Sequence, residues 1–307
     1  MPVRSLGLAV CMLLSMVGCG ETGSDGVAPP KADGGTTATV ELLDPGAEPR
    51  TALRYIFQAN RTEKMVMEMS MAMAMESGDQ KQPETQMPAT RMTMTIDCKE
   101  VTPEGDLHYE FELVQVEVLP EPGADPAVVD AMKQQMSSMQ GLSGSATVTS
   151  RGFSKDAEIN PPPGIDPQVR QFMDNMKQSM NQMSAPFPEE PVGRGARWQV
   201  TTPVETPALK LTQIATYTLL EIQGDKVKLD VAIKQSAPRQ EIDTPGAAPG
   251  EKVSLESLNS SGTGTVELQM TNLVPTSNIN VTTTNVVSVG NQRIKSTMRM
   301  GMKIHPG

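Results

Sequence analysis

The chain has 307 residues, with 26 Lys+Arg against 36 Asp+Glu, a formal net charge of −10, 3% aromatic residues and 23 methionines. Such an acidic balance argues against nucleic acid as a partner and against charge-driven binding to anionic lipid. Of the three cysteines, Cys11 and Cys19 lie in or at an N-terminal apolar segment. Cys98 therefore has no partner for an internal disulfide, and stability must come from a packed core.

Residues 1–19 read MPVRSLGLAVCMLLSMVGC. Arg4 supplies a positive start, and Leu6 to Val17 is apolar and uncharged. That run is shorter than the roughly 20 residues a spanning helix needs and has the length of a signal-peptide core. Ser15-Met16-Val17-Gly18 before Cys19 resembles the lipobox of bacterial lipoproteins, with Met16 where Leu is usual. The resemblance implies a signal peptide over residues 1–18 and acylation of Cys19, by palmitate among other chains. The mature protein would then be held in the cell envelope through a lipid. Gly20 is not the Asp that marks inner-membrane retention, which favours the outer membrane where the host has one, facing the periplasm or the exterior.

Gly20 to Arg50 is mostly Gly, Ala, Pro, Thr and acidic residues, too polar to order itself. With Cys19 it forms an expected flexible tether over residues 19–50. Residues 51–307 are expected to make a single β-rich domain. A mature chain without residues 1–18 keeps 20 of the methionines and a charge of −11, Arg4 being lost. Where those methionines fall is the chief compositional signal.

Met65, Met67, Met69, Met71, Met73 and Met75 occupy every second position, which places them on one face of a strand. At about 3.4 Å per residue that strand exceeds roughly 30 Å. Met92, Met94, Ile96 and Cys98 repeat the scheme. So do Val227 to Ile233, Val266 to Met270, and Ile294 to Ile304 with Met298, Met300 and Met302. Cys98 shares an apolar face and is expected to be buried and unreactive. Turn signals separate the runs: Pro103-Glu104-Gly105-Asp106, Gly224-Asp225 and Gly290-Asn291 each precede a strand. About ten to twelve strands joined to their sequence neighbours predict a largely antiparallel sheet.

Two segments depart from this period. Asp125-Pro126 and Asp166-Pro167 are helix starts, predicting helices near 127–140 and 168–183. Val128, Met132, Met136 and Met139 form the apolar stripe of the first. Val169, Met173, Met176, Met180 and Met183 form that of the second. Ser145–Ile159 reads as a hairpin between them, and a turn at Pro191–Arg197 feeds a strand with Trp198. The expected fold is mainly β (α+β): a large curved, half-barrel-like antiparallel sheet with both helices packed on its concave face.

The lipobox, the stretch Leu42-Leu43-Asp44-Pro45-Gly46-Ala47-Glu48-Pro49-Arg50 running to Leu53-Arg54-Tyr55, and Pro191-Val192-Gly193-x-Gly195-x-x-Trp198 together resemble a family of uncharacterised bacterial lipoproteins, a domain of unknown function. These motifs are structural punctuation and imply no chemistry. The architecture is also similar to half-barrel periplasmic lipoprotein carriers and lipid-binding lipoproteins, a likeness of fold alone.

The two histidines of the chain, His108 and His305, leave little scope for a Ser-His-Asp or Cys-His arrangement. No H-E-x-x-H, Walker A, dinucleotide loop or EF-hand loop occurs. The expectation is a protein that is not an enzyme and carries no metal or other cofactor. The Met strings admit three readings: a packed core, an adaptable pocket for an acyl chain or other amphiphile, and soft-metal binding. Copper is disfavoured because Val, Ile and Leu take equivalent positions on other strands and no His stands among the Met. Expected ligand-binding residues are Met67, Met69, Met71, Met94, Met132, Met136, Met176 and Met180, with Cys19 as the lipidation site. Expected partners are the membrane, through the N-terminal lipid, and an apolar small molecule or lipid. The alternative is a structural or protein-interaction lipoprotein with a packed Met-rich interior and no ligand.

Overall fold

Period-two patterning emerges as strands almost throughout the computed structural model, which describes residues 38–78, 80–120, 125–137, 139–160, 186–205, 209–242, 253–290 and 292–307. The first half of the chain forms β1 (Thr39–Asp44), β2 (Arg61–Ser77), β3 (Gln80–Lys81), β4 (Thr85–Val101) and β5 (Leu107–Leu119). A helix, α1 (Pro126–Ser137), precedes the hairpin of β6 (Ser143–Val148) and β7 (Ser154–Asn160). The second half forms β8 (Arg197–Glu205), β9 (Lys210–Gln223), β10 (Lys226–Ala237), β11 (Gln240–Ile242), β12 (Val253–Gln269), β13 (Thr276–Val289) and β14 (Gln292–Pro306).

All 14 strands belong to one sheet in the order β1-β8-β9-β10-β12-β13-β14-β2-β4-β5-β6-β7, with β11 on β12 and β3 on β2. Every pairing is antiparallel. The expected turns sit where the Gly signals placed them; Gly224, between β9 and β10, has φ +62°, a conformation that a side chain disfavours.

Three expectations need correction. Within the tether expected over residues 19–50, Thr39–Asp44 forms β1 and pairs with β8, and residues 19–37 lie outside the described residues. The Thr-Val-Glu-Leu-Leu run of β1 carries β-forming residues that the Gly/Pro-rich surroundings obscured. Among the described residues there is one helix, so the fold is mainly β rather than α+β; the helix expected near 168–183 lies outside them. The stripe of α1 is rotated, with Val129 buried and Val128 39% exposed. Asp125 caps this helix as expected, its Oδ1 accepting the Ala127 N–H at 2.9 Å. The helix packs against β5, and no described helix is long and apolar enough to cross a membrane.

The sheet is rolled at one end. The β12–β13 connection reaches past β13, β14 and β2, so that Leu273 and Val274 pack on Ile96 of β4 and Phe111 of β5. Glu63 on β2 fixes it there: its carboxylate accepts the Leu273 N–H at 3.1 Å and the Val274 N–H at 3.0 Å. Arg61 donates to the Thr271 carbonyl and the Asn272 side chain, both at 3.1 Å. Residues 51–60 cross the same end as an extended strap, where the Tyr55 N–H donates to Ser150 O and the Ile56 N–H to Met270 O. Glycines permit tight curvature on β12. A Cβ on Gly264 would lie 2.4 Å from the Asn278 carbonyl and 2.8 Å from Ile279, and Gly262 is crowded likewise by Asn280 and Val281. The missing side chains let β13 close in.

The core at this end is aromatic. Phe57, Tyr55, Phe187, Trp198 and Tyr217 form a continuous row, with neighbouring centroids 4.9, 5.2, 6.4 and 5.5 Å apart. The chain has only nine aromatic residues, so more than half of them are committed to this row. Trp198 donates its indole N–H to Pro186 O at 3.1 Å, and Leu219, Val227, Leu229 and Val231 complete the packing. Burial pushes the Tyr217 phenol up to about 12. Cys98 is buried beside Phe57 and Leu107, and burial raises its thiol pKa, the condition of an unreactive cysteine.

Candidate functional site

Register determines which side chains share the inner face. Across β14 and β2, Met298 lies opposite Met73, Met300 opposite Met71 and Met302 opposite Met69. Across β2 and β4, Met65 lies opposite Met94, Met67 opposite Met92 and Met71 opposite Met87. On β13, Ile279, Val281 and Thr283 continue the rows of Met302, Met300 and Met298. Directly opposed residues project to the same side of an antiparallel pair, so three adjacent strands present one methionine-lined surface.

Its degree of burial is informative. The ladder methionines of β2, β4 and β14 are all half-buried, whereas Leu219 and Leu107 are 0% exposed. Met270 is the only methionine among the described residues that counts as fully buried core. The stable core is therefore built from Trp, Phe, Tyr, Leu and Val, and the Met surface lies beside it. The other side of the same strands is charged: Arg91 donates to Glu68 at 2.7 Å and pairs with Glu117 at 3.5 Å. Lys295 reaches Glu76 at 3.6 Å, and Arg299 pairs with Glu84. This outer face is the solvent side, and the Arg91 hydrogen bond holds the Glu68 carboxyl below its usual range.

Of the expected ligand residues, Met67, Met69 and Met71 stand together on β2. Met94 shares their face, nearer the rolled end, in contact with the Ile96–Phe111–Val274 cluster. Met132 and Met136 are half-buried on α1, but α1 packs against β5. Met139 just beyond it joins Leu113, Leu142, Met92 and Met94. The sole described helix thus borders the Met surface from the β5 side, a correction to two helices lying over the sheet. Met176, Met180 and Cys19 lie outside the described residues.

A feature absent from the expected site is a row of neutral polar groups on the same inner face. Thr202, Gln213, Gln235, Ser260 and Thr283 lie opposite one another in sequence across β8, β9, β10, β12 and β13. The row runs directly into Met298 and Met73. Gln235 donates to Gln213 at 2.7 Å, and the Ser260 and Thr283 hydroxyls are 2.7 Å apart. One row further from the rolled end, the buried Ser296 donates to the buried Asn285. The signal for these residues exists only in the register: within each strand they look like ordinary breaks in an apolar alternation.

Three clefts, of about 330, 890 and 280 Å³, open elsewhere, and none is lined by methionine. The largest lies between Pro49, Arg50, Arg194 and the Leu220–Ile222 stretch of β9. Among the described residues no three His, Cys, Asp or Glu side chains are grouped to hold a metal ion. His108 sits 3.4 Å from the Thr147 hydroxyl, and His305 is exposed beside Pro306.

Residues 171–274 match the model of a family of unknown function, DUF6263. The matched span holds Phe187, Trp198, Tyr217 and strands β8 to β12. It leaves out β2, β4 and β14, so the likeness covers three of the five rings of the aromatic row and not the methionine surface. No curated protein matches the chain.

Proposed function

We propose that the protein is a lipid-anchored, non-catalytic component of the cell envelope that holds an apolar or amphiphilic molecule on the inner face of its sheet. The observation that carries this reading is the half-buried methionine surface of β14, β2 and β4, set beside a complete aromatic core. A packed-core role, the structural alternative, would bury those side chains as Leu219 and Leu107 are buried. Thioether side chains are flexible and polarizable, and such surfaces adapt to apolar partners of varied shape. The lipobox resemblance at Cys19 supports anchoring, and the likeness to half-barrel lipoprotein carriers supports the choice of an apolar cargo.

Cys19→Ser is expected to remove the acyl chains and release the protein from the membrane fraction. Persistent membrane association, with no diacylglycerol mass on the parent protein, would defeat the anchoring half of the proposal. The released mature chain keeps every described residue and suits a titration with N-phenylnaphthylamine, an uncharged apolar fluorophore. Saturable binding is expected, weakened about ten-fold or more by Met71→Glu, because an unpaired carboxylate on an apolar surface must be desolvated. Circular dichroism of the variant checks that the sheet is retained. Absence of saturable binding by the parent would remove the ligand reading.

A further inference from the structure

The inner face carries almost no charge. Along the polar row and the methionine rows no position from β8 round to β4 carries Asp, Glu, Lys or Arg; Arg61 and Glu63 share this face only at the rolled end, where they lie 3.7 Å apart and are engaged by the 271–274 connection. The charges of the same strands project outward. What the inner face offers instead is the polar row, whose members are buried or half-buried on the sheet. Thr202 is 3% exposed, and its hydroxyl has no hydrogen-bond partner among the described residues. Asn285 is 5% exposed, and its oxygen accepts from Ser296 while its amide N–H groups have no such partner.

Resting on the ligand reading above, we infer that this face selects an amphiphile with an uncharged, hydrogen-bonding headgroup. The headgroup sits on the row formed by Thr202, Gln213, Gln235, Ser260 and Thr283, and the tail lies across the methionine rows of β14, β2 and β4. Across the sheet, the row from Ser260 on β12 through Thr283, Met298 and Met73 to Thr85 on β4 is four strand steps, roughly 19 Å at about 4.8 Å each, enough for a medium-length alkyl chain. Hydroxyl and amide side chains can trade hydrogen bonds among themselves for hydrogen bonds to a neutral headgroup at little net cost. A charged headgroup in the same place would lose its hydration with no opposite charge to meet it. The methionines are the tail site, and the polar row sets headgroup preference.

The test is displacement of N-phenylnaphthylamine from the Cys19→Ser mature chain by three ligands with ten-carbon tails. Monodecanoylglycerol is neutral, decanoate at pH 8 is anionic, and decyltrimethylammonium is cationic. Monodecanoylglycerol is expected to displace the reporter at about ten-fold lower concentration than either ion, equivalent to about 1.4 kcal/mol. In Ser260→Ala/Thr283→Val both partners of one hydrogen bond are replaced together, which spares the fold. Its unfolding midpoint should stay near the parent's while the neutral-to-charged ratio falls toward one. Decanoate or the ammonium binding as well as monodecanoylglycerol would overturn the headgroup inference and leave the ligand reading intact. A ratio unmoved by the double variant would overturn the assignment of the polar row. Failure of the reporter to bind the parent would end both.

Discussion

Trp198→Ala is expected to destabilise the domain by about 3–5 kcal/mol, the range for truncating a large buried aromatic. Trp198 is 1% exposed and sits fourth in the five-ring row, between Phe187 and Tyr217. Its removal opens a cavity between strap and sheet and orphans the Pro186 carbonyl that its indole N–H satisfies. Trp198→Phe separates the two effects: most of the ring packing survives, and the orphaned carbonyl costs about 1–3 kcal/mol. Because Trp198 is the only tryptophan, denaturant titrations of both variants must be followed by far-UV circular dichroism. A loss under about 1 kcal/mol for Trp198→Ala, small for any buried truncation, would mean that the aromatic row is not the stabilising core.

Glu63→Ala is expected to cost about 3 kcal/mol, since hydrogen bonds to a charged acceptor contribute about 1.5–3 kcal/mol. The carboxylate accepts two backbone N–H groups and lies 3.7 Å from Arg61, with its side chain 9% exposed. Without it, the Leu273 and Val274 amides lose their acceptor and the rolled end loses its tie across β13 and β14. The loss should be local as well as global: amide hydrogen exchange at residues 273 and 274 should accelerate more than exchange in β9 and β10. Glu63→Gln keeps one acceptor oxygen and should recover part of the protection. Unchanged exchange at those amides in Glu63→Ala would show that side-chain packing of Leu273 and Val274 alone holds the roll.

Much of the sheet is legible in the sequence because alternation is a local property. Met65–Met75 and Ile294–Ile304 reveal their strands by period alone, and the Gly-containing turns mark where strands end. What could not be read is anything decided between strands. That Met300, Met71 and Met87 stand abreast depends on β14 pairing with β2, a contact between chain positions more than 200 residues apart. The polar row was invisible for the same reason: Gln213, Gln235, Ser260 and Thr283 are unremarkable until register aligns them. Composition is a weak guide to burial: the abundant methionine admits a packed methionine core as one reading, while in the structure a few aromatics, brought together by the strap and β8, fill the centre. Glu63 gave no signal, since its partners are backbone amides that belong to every residue alike.

The place of β14 in the sheet has a consequence for how the protein is made. Made more than 200 residues after β2, it lies between β13 and β2, joining the group β2-β4-β5-β6-β7 to the group that runs from β1 through β8 to β13. Until Gln292–Pro306 emerges, β2 has an unpaired long edge, and its six alternating methionines have no neighbour on that side. Long apolar strand edges recruit other chains, and a partly synthesised molecule displays this one until β14 is added. The seam closes late and over a long sequence separation, which makes it slow. A chain cut before β14 should therefore fail by self-association as it folds, well before any question of binding arises.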